Sequence, residues 1–105
     1  MNPTTYPPAL VRATLPTAVL ACLEQDDLHG YGLALQLEKL GYGRLRGGSL
    51  YPALSKLEEA GYVTTTWTEG ESGPARRQYR LTDAGARQLA DERATLARLT
   101  SALGA

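Results

Sequence analysis

The chain has 105 residues, of which 43% are hydrophobic; this length fits one domain with a modest core and leaves little room for a separate catalytic domain. Its 11 basic and 11 acidic side chains cancel, so any surface that attracts nucleic acid must be a local one. A single cysteine, Cys22, excludes an internal disulfide, and no Cys/His spacing predicts a metal site or a cofactor.

The longest apolar stretch, residues 15–23, is far shorter than the roughly 20 residues that a bilayer span requires. The N-terminus shows no basic region followed by an apolar run, which an export signal would have. We therefore expect a cytoplasmic protein without a membrane segment.

The chain is predicted to begin with an arm that leads into a first helix. Residues 1–13 contain three prolines and no apolar period, which indicates an arm outside the core that is extended, or mobile unless a partner holds it. From Thr14, the predicted N-cap, apolar residues recur at helical spacing as far as Leu23. Pro16 fits the first turn of this helix, and Cys22 falls on its buried stripe.

Two further helices are predicted after a polar break. The second spans about residues 30–40, with Gly41 as its stop. The third spans about residues 49–60, with Ser49 as N-cap, so that Pro52 lies in the first turn and breaks no hydrogen bond. One face of this third helix is apolar, and the opposite face is small and polar.

After the third helix the apolar period changes from that of a helix to that of a strand. Residues 62–68 are rich in β-branched and aromatic side chains, residues 70–74 form a turn, and residues 76–81 return, which predicts a β-hairpin. Residues 72–80 carry three arginines and no acidic side chain, so this hairpin is the strongest local candidate for attracting DNA. We expect Trp67 to pack in the core or at a dimer interface, with ligand binding as the weaker alternative.

Thr82 and Asp83 are predicted to start the last helix. This helix carries a seam of leucines that the remaining chain is too small to cover, and we expect the seam to meet a second copy. The predicted dimerisation residues are Leu89, Leu96, Leu99 and Leu103.

Three short helices, a β-hairpin and a closing helix are the element order of a winged helix-turn-helix, a mainly α fold with a β-hairpin. We divide the chain into an N-terminal arm at 1–13, a winged helix-turn-helix DNA-binding domain at 14–82 and a C-terminal dimerisation helix at 83–105.

Three blocks of sequence resemble the PadR family of transcriptional regulators: HGYGL at 29–33, GSLYPALSKLEEAGYV at 48–63 and GPARRQYRLTDAG at 73–85. The resemblance covers about residues 12–90 and implies a homodimer that represses promoters and releases DNA when a small aromatic or drug-like ligand binds. Only one helix follows the hairpin, as in short-tailed members. That helix has no aromatic side chain to stack on a flat ligand.

The candidate DNA contacts fall into two groups. The polar face of the third helix offers groups for bases and phosphates, and the helix-entry tyrosine, the loop before the third helix and the hairpin offer groups for phosphates. The predicted residues are Tyr31, Arg44, Arg46, Ser49, Tyr51, Ser55, Lys56, Arg76 and Arg77. For Tyr31 the alternative is a tyrosine at the edge of the core, and for the others it is an ordinary solvated side chain. Tyr51 has the further alternative of packing under the loop before its helix.

The sequence therefore predicts a sequence-specific regulator of double-stranded DNA, most simply a repressor that binds a near-palindromic operator as a homodimer. A winged helix that docks on a partner protein without binding DNA is the alternative, because the net charge is zero and Glu58 and Glu59 lie near the polar face. A small enzyme is a second alternative, against which the missing pair of base and nucleophile counts.

Overall fold

The computed structural model describes residues 5–45, 47–70 and 73–105. The predicted order of helices and hairpin is confirmed, with one additional short strand. The elements are α1 (Pro8–Gln25), β1 (Leu28–His29), α2 (Gly30–Leu37), a π-helical turn (Glu38–Tyr42), α3 (Gly47–Glu59), β2 (Val63–Gly70), β3 (Gly73–Leu81) and α4 (Asp83–Ala102).

Helix α1 begins at Pro8, well before the predicted cap at Thr14. Pro8 is tolerated at the start of a helix because its missing amide hydrogen would have no helical partner there. Thr14 lies inside the helix, where its hydroxyl donates to the carbonyl of Leu10 at 2.7 Å instead of capping. The prediction of an extended arm is therefore wrong for residues 8–13, and Pro16 lies in the helix interior rather than in its first turn.

The centre of the core is the apolar stripe of α1, which is buried as predicted. Cys22 is among these residues, and burial raises the pKa of its thiol, so the group stays neutral in the fold. The core consists mainly of leucines from all four helices, together with Val63 of β2 and Tyr79 of β3.

The segment that follows α2 contacts the N-terminal residues. Gly41 has a φ of 98°, as expected for a residue that ends a helix, although α2 itself ends at Leu37. The amide of Thr5 donates to the carbonyl of Gly41 at 2.7 Å, and the Tyr6 hydroxyl donates to the carbonyl of Leu40 at 2.9 Å. These bonds fasten the N-terminal segment to the chain that leads into α3.

The hairpin is part of a three-stranded antiparallel sheet with the order β1-β3-β2. Leu28 in β1 pairs with Tyr79, and Tyr79 also pairs with Thr65 in β2. The sequence predicts only the hairpin, because a two-residue strand is too short to show an alternating period. Strand β1 brings the start of α2 beside β3.

Helix α3 begins at Gly47, so Ser49 is a residue of its first turn and not its cap. Pro52 consequently lies in the helix interior, contrary to the prediction. The predicted apolar face is confirmed, since Leu50, Leu54 and Leu57 are buried.

Helix α4 begins as predicted, with the side chain of Thr82 accepting a hydrogen bond from the amide of Gly85 at 3.0 Å. A side chain at Gly85 would collide with the carbonyl oxygen of Tyr62, so this close approach requires glycine. In the part of the chain that the structure describes, no helix has both the length and the apolar character needed to cross a bilayer.

Candidate nucleic-acid interface

The outer face of α3 is open to solvent, as the sequence predicts. Ser49, Ser55 and Lys56 are exposed there. Among the described residues, none donates to or accepts from the Ser55 or Lys56 side chain. An exposed hydroxyl and ammonium on one helix can bind base edges and phosphates in a major groove.

Tyr51 points from α3 towards the start of α2. Its side chain is 48% exposed, and its hydroxyl lies against Gly30, where an added Cβ would be 2.5 Å from the hydroxyl oxygen. Of the two expectations for Tyr51, packing under the loop is not what the structure shows. The ring instead joins α3 to α2 and leaves one edge exposed.

An open cleft of about 400 Å³ separates the start of α2, α3 and strand β3. Four of the predicted DNA contacts meet there, namely Tyr31, Tyr51, Arg76 and Arg77. Tyr31 is 73% exposed in the first turn of α2, where helix amides favour an anion. The cleft thus combines hydroxyl and guanidinium donors beside the outer face of α3.

The two arginines of the cleft differ in their partners. The Nη2 of Arg77 lies 3.4 Å from Oε1 of Glu58, and its guanidinium carbon lies 6.0 Å from the ring centre of Tyr79. Arg76 forms no ion pair with any residue that the structure describes. Arg80, further along β3, is paired with Asp27 at 3.2 Å.

Tyr79 adds no negative charge to the cleft. Burial raises the pKa of its phenol, and the neighbouring Arg77 opposes part of that rise. The phenol is therefore neutral at physiological pH.

Of the two predicted loop arginines, the structure describes one. Arg44 is exposed and does not line the cleft, and Arg46 lies outside the described residues.

One of the two places predicted for Trp67 is wrong. Trp67 is not in the core, because its side chain is 69% exposed opposite Arg77 on the hairpin. Strand alternation places Trp67 on the same face as the buried Val63, but four residues further along a hairpin that extends beyond the core.

The leucines of the last helix divide into two kinds. Leu89 is completely buried in the core of its own chain, so its assignment to a dimer interface is wrong. Leu96, Leu99 and Leu103 are 38%, 54% and 78% exposed. Only these three remain available to a second copy.

Glu58 is the residue of this surface that sequence reasoning missed. In the sequence Glu58 stands out only as half of an acidic pair with Glu59. In the structure its carboxylate contacts both strands of the hairpin. The helical position of Glu58, seven residues after Tyr51 and thus on the same side of α3, was the available signal.

Comparison with known proteins agrees with the geometry. The sequence profile described as "Transcriptional regulator PadR-like family" matches residues 19–91. The "Transcriptional regulator Rv3488" of Mycobacterium tuberculosis is 35% identical over 88 residues, which cover 84% of this chain and 80% of that protein.

The "Negative transcriptional regulator PadR" of Bacillus subtilis is 32% identical over 76 residues, which cover 70% of this chain but only 42% of that protein. Among solved structures, a PadR family transcriptional regulator from Eggerthella lenta superposes with a TM-score of 0.82 at 33% identity. That match covers 91% of this chain and 83% of the other.

Proposed function

The chain belongs to the PadR-like family of transcriptional regulators, and we propose that it is a cytoplasmic homodimeric repressor of a near-palindromic operator. The observation that carries this proposal is the exposed outer face of α3, where Ser55 and Lys56 have no partner among the described residues, beside a cleft that contains Arg76. In this proposal Ser55 and Lys56 contact base edges, and Tyr31 and Arg76 contact backbone phosphates.

Dimerisation is proposed through α4. Leu96 and Leu99 are spaced so that they lie on one side of the helix, and Leu103 follows at its end. Three uncovered leucines in a chain of this size support burial against an identical surface, because a two-fold axis brings the same patch of both copies together. Two α3 helices would then enter major grooves one helical turn apart, about 34–36 Å.

Repression is the direction of control that we propose. Its support is the B. subtilis relative, whose name describes a negative regulator. A dimer seated across a promoter would block transcription by occupying it.

Release by a small ligand is a further part of the proposal, and it rests on the resemblance. A groove of about 560 Å³ lies between α1, the side of α3 that carries Lys56 and the middle of α4, and Arg12, Lys56 and Glu92 line it. Its volume falls within the usual range for small-molecule sites, about 300–1,000 Å³. A ligand in this groove would touch Lys56, which we assign to DNA binding.

The proposal is tested by selecting genomic DNA fragments on the purified protein and determining the enriched sequence. We expect a short inverted repeat whose half-sites are about one helical turn apart. A protein that enriches no sequence, and whose weak DNA binding does not depend on salt, would instead be a docking module for another protein.

A further inference from the structure

We infer that Glu58 decides which arginine of the hairpin is available to a DNA phosphate, by holding Arg77 against α3 and leaving Arg76 free. This inference rests on the proposed function, since it concerns the same DNA-binding surface. Glu58 is a positioning residue in this account and makes no DNA contact of its own.

The two carboxylate oxygens of Glu58 are used by different strands of the hairpin. Oε2 accepts a hydrogen bond from the Thr65 hydroxyl in β2 at 3.0 Å, and Oε1 lies 3.4 Å from Nη2 of Arg77 in β3. One side chain near the end of α3 therefore connects that helix to both strands.

The electrostatic consequence is that Arg77 contributes little net charge to the cleft. A carboxylate in contact with a guanidinium cancels most of its field at distances greater than the separation of the two groups, and salt screens what remains over a Debye length of about 8 Å. A phosphate that approaches Arg77 also approaches Glu58, and it gains a full charge contact only if the pair separates. Arg80 is held in the same way by Asp27 at 3.2 Å.

Arg76 differs from both of these arginines. It is exposed, lines the cleft and has no carboxylate partner among the residues that the structure describes. Among the residues that the structure describes, the three arginines close together on this strand thus supply one positive charge that no carboxylate neutralises. The sequence alone presents the three as equivalent, and Glu58 and Asp27 make them unequal.

The experiment measures binding to a labelled random-sequence DNA duplex at a series of salt concentrations. Binding is detected by the fluorescence anisotropy of the DNA. Arg76→Met and Arg77→Met each remove one charge and keep the length of the side chain. Glu58→Gln removes the negative charge, while its amide oxygen still accepts from Thr65. Glu24→Gln is the matched control. Glu24 lies at the C-terminal end of α1 and forms a similar exposed ion pair with Arg93 at 3.0 Å, but it does not line the cleft.

Each freed or lost phosphate contact changes the slope of log affinity against log salt by about 0.9. We expect Arg76→Met to flatten the slope by that amount and Arg77→Met to leave it nearly unchanged. Glu58→Gln should steepen the slope by about 0.9 and tighten binding about two- to fivefold, because it releases Arg77. In the double variant with Arg77→Met that gain should disappear, and Glu24→Gln should have no effect on the slope.

The inference is overturned if Arg77→Met flattens the wild-type slope as much as Arg76→Met does. It is also overturned if the effects of Glu58→Gln and Arg77→Met simply add, since Glu58 would then act on DNA directly. If the wild-type protein binds DNA with steep salt dependence but the effects of Glu58→Gln and Arg77→Met add, the proposed function stands and the role of Glu58 is rejected. Absence of DNA binding by the wild-type protein would reject both.

Discussion

The hydroxyl of Tyr51 in α3 lies against the α-carbon of Gly30, at the first residue of α2. A Cβ at residue 30 would be 2.5 Å from that oxygen and 3.1 Å from the nearest ring carbon. The contact places the Tyr51 ring of α3 across the start of α2, at the edge of the cleft.

Gly30→Ala should therefore destabilise the protein by roughly 1 kcal/mol, the low end of the cost of overpacking, because the half-exposed Tyr51 ring must move aside. Gly32→Ala is the matched control: its Cβ would be 3.4 Å from Leu28 Cδ2, an ordinary contact, and alanine favours a helix by up to about 1 kcal/mol over glycine. Urea unfolding measures both. Equal effects of the two substitutions would contradict this account, and Tyr51→Phe should reduce the cost of Gly30→Ala.

The two kinds of leucine in α4 predict different phenotypes. Leu89→Ala should lower the free energy of unfolding by about 2–5 kcal/mol, because Leu89 is completely buried in its own chain. Leu99→Glu should leave a folded protein but halve the mass measured by light scattering, because it places a charge in the proposed interface. A wild-type monomer, or a Leu99→Glu variant that remains dimeric, would refute the assignment of this surface.

Stability should fall at alkaline pH because of Cys22 and Tyr79. Burial raises the pKa of both groups in the fold, so the unfolded chain loses these protons first, near pH 8.5 for a thiol and 10 for a phenol. Their contribution is complete below about pH 8 and is lost as the pH rises through this window.

In Cys22→Ala the decline should begin about 1.5 pH units higher, since of the two groups only Tyr79 remains. The free energy of unfolding is measured by urea denaturation between about pH 7.5 and 10.5 for both proteins. The change of this free energy with pH is compared, because the smaller alanine side chain also lowers stability at every pH. The same slope near pH 9 in both proteins would refute the attribution to the thiol.

The parts of the fold that the sequence predicts are those with a repeated pattern or a local signature. The stripe of α1, the apolar face of α3, the hairpin and the Thr82 cap each depend on residues close together in the chain, and all four are confirmed. The family resemblance adds the arrangement of these elements.

Three of the failures share a physical cause, which is that each depends on a contact between distant parts of the chain. Helix α1 extends to Pro8 beside an N-terminal segment that is fastened to the carbonyls of Leu40 and Gly41. Strand β1 exists only through its pairing with β3, and Leu89 is covered by elements that no local period reveals.

The candidate site follows the same rule. The exposure of Ser55 and Lys56 can be deduced from helical geometry, whereas the pairing of Glu58 with Arg77 joins residues that are 19 positions apart.

The central claim is that α3 selects the sequence and the hairpin supplies affinity without selectivity. It is tested most directly by the ratio of affinities for the selected operator and a random duplex at fixed salt. We predict that the double variant Ser55→Ala/Lys56→Met lowers this ratio by roughly 5- to 150-fold, the equivalent of about 1–3 kcal/mol. Arg76→Met should weaken binding to both duplexes equally and leave the ratio unchanged. An unchanged ratio in the double variant, or a collapse of the ratio in Arg76→Met, would contradict the claim.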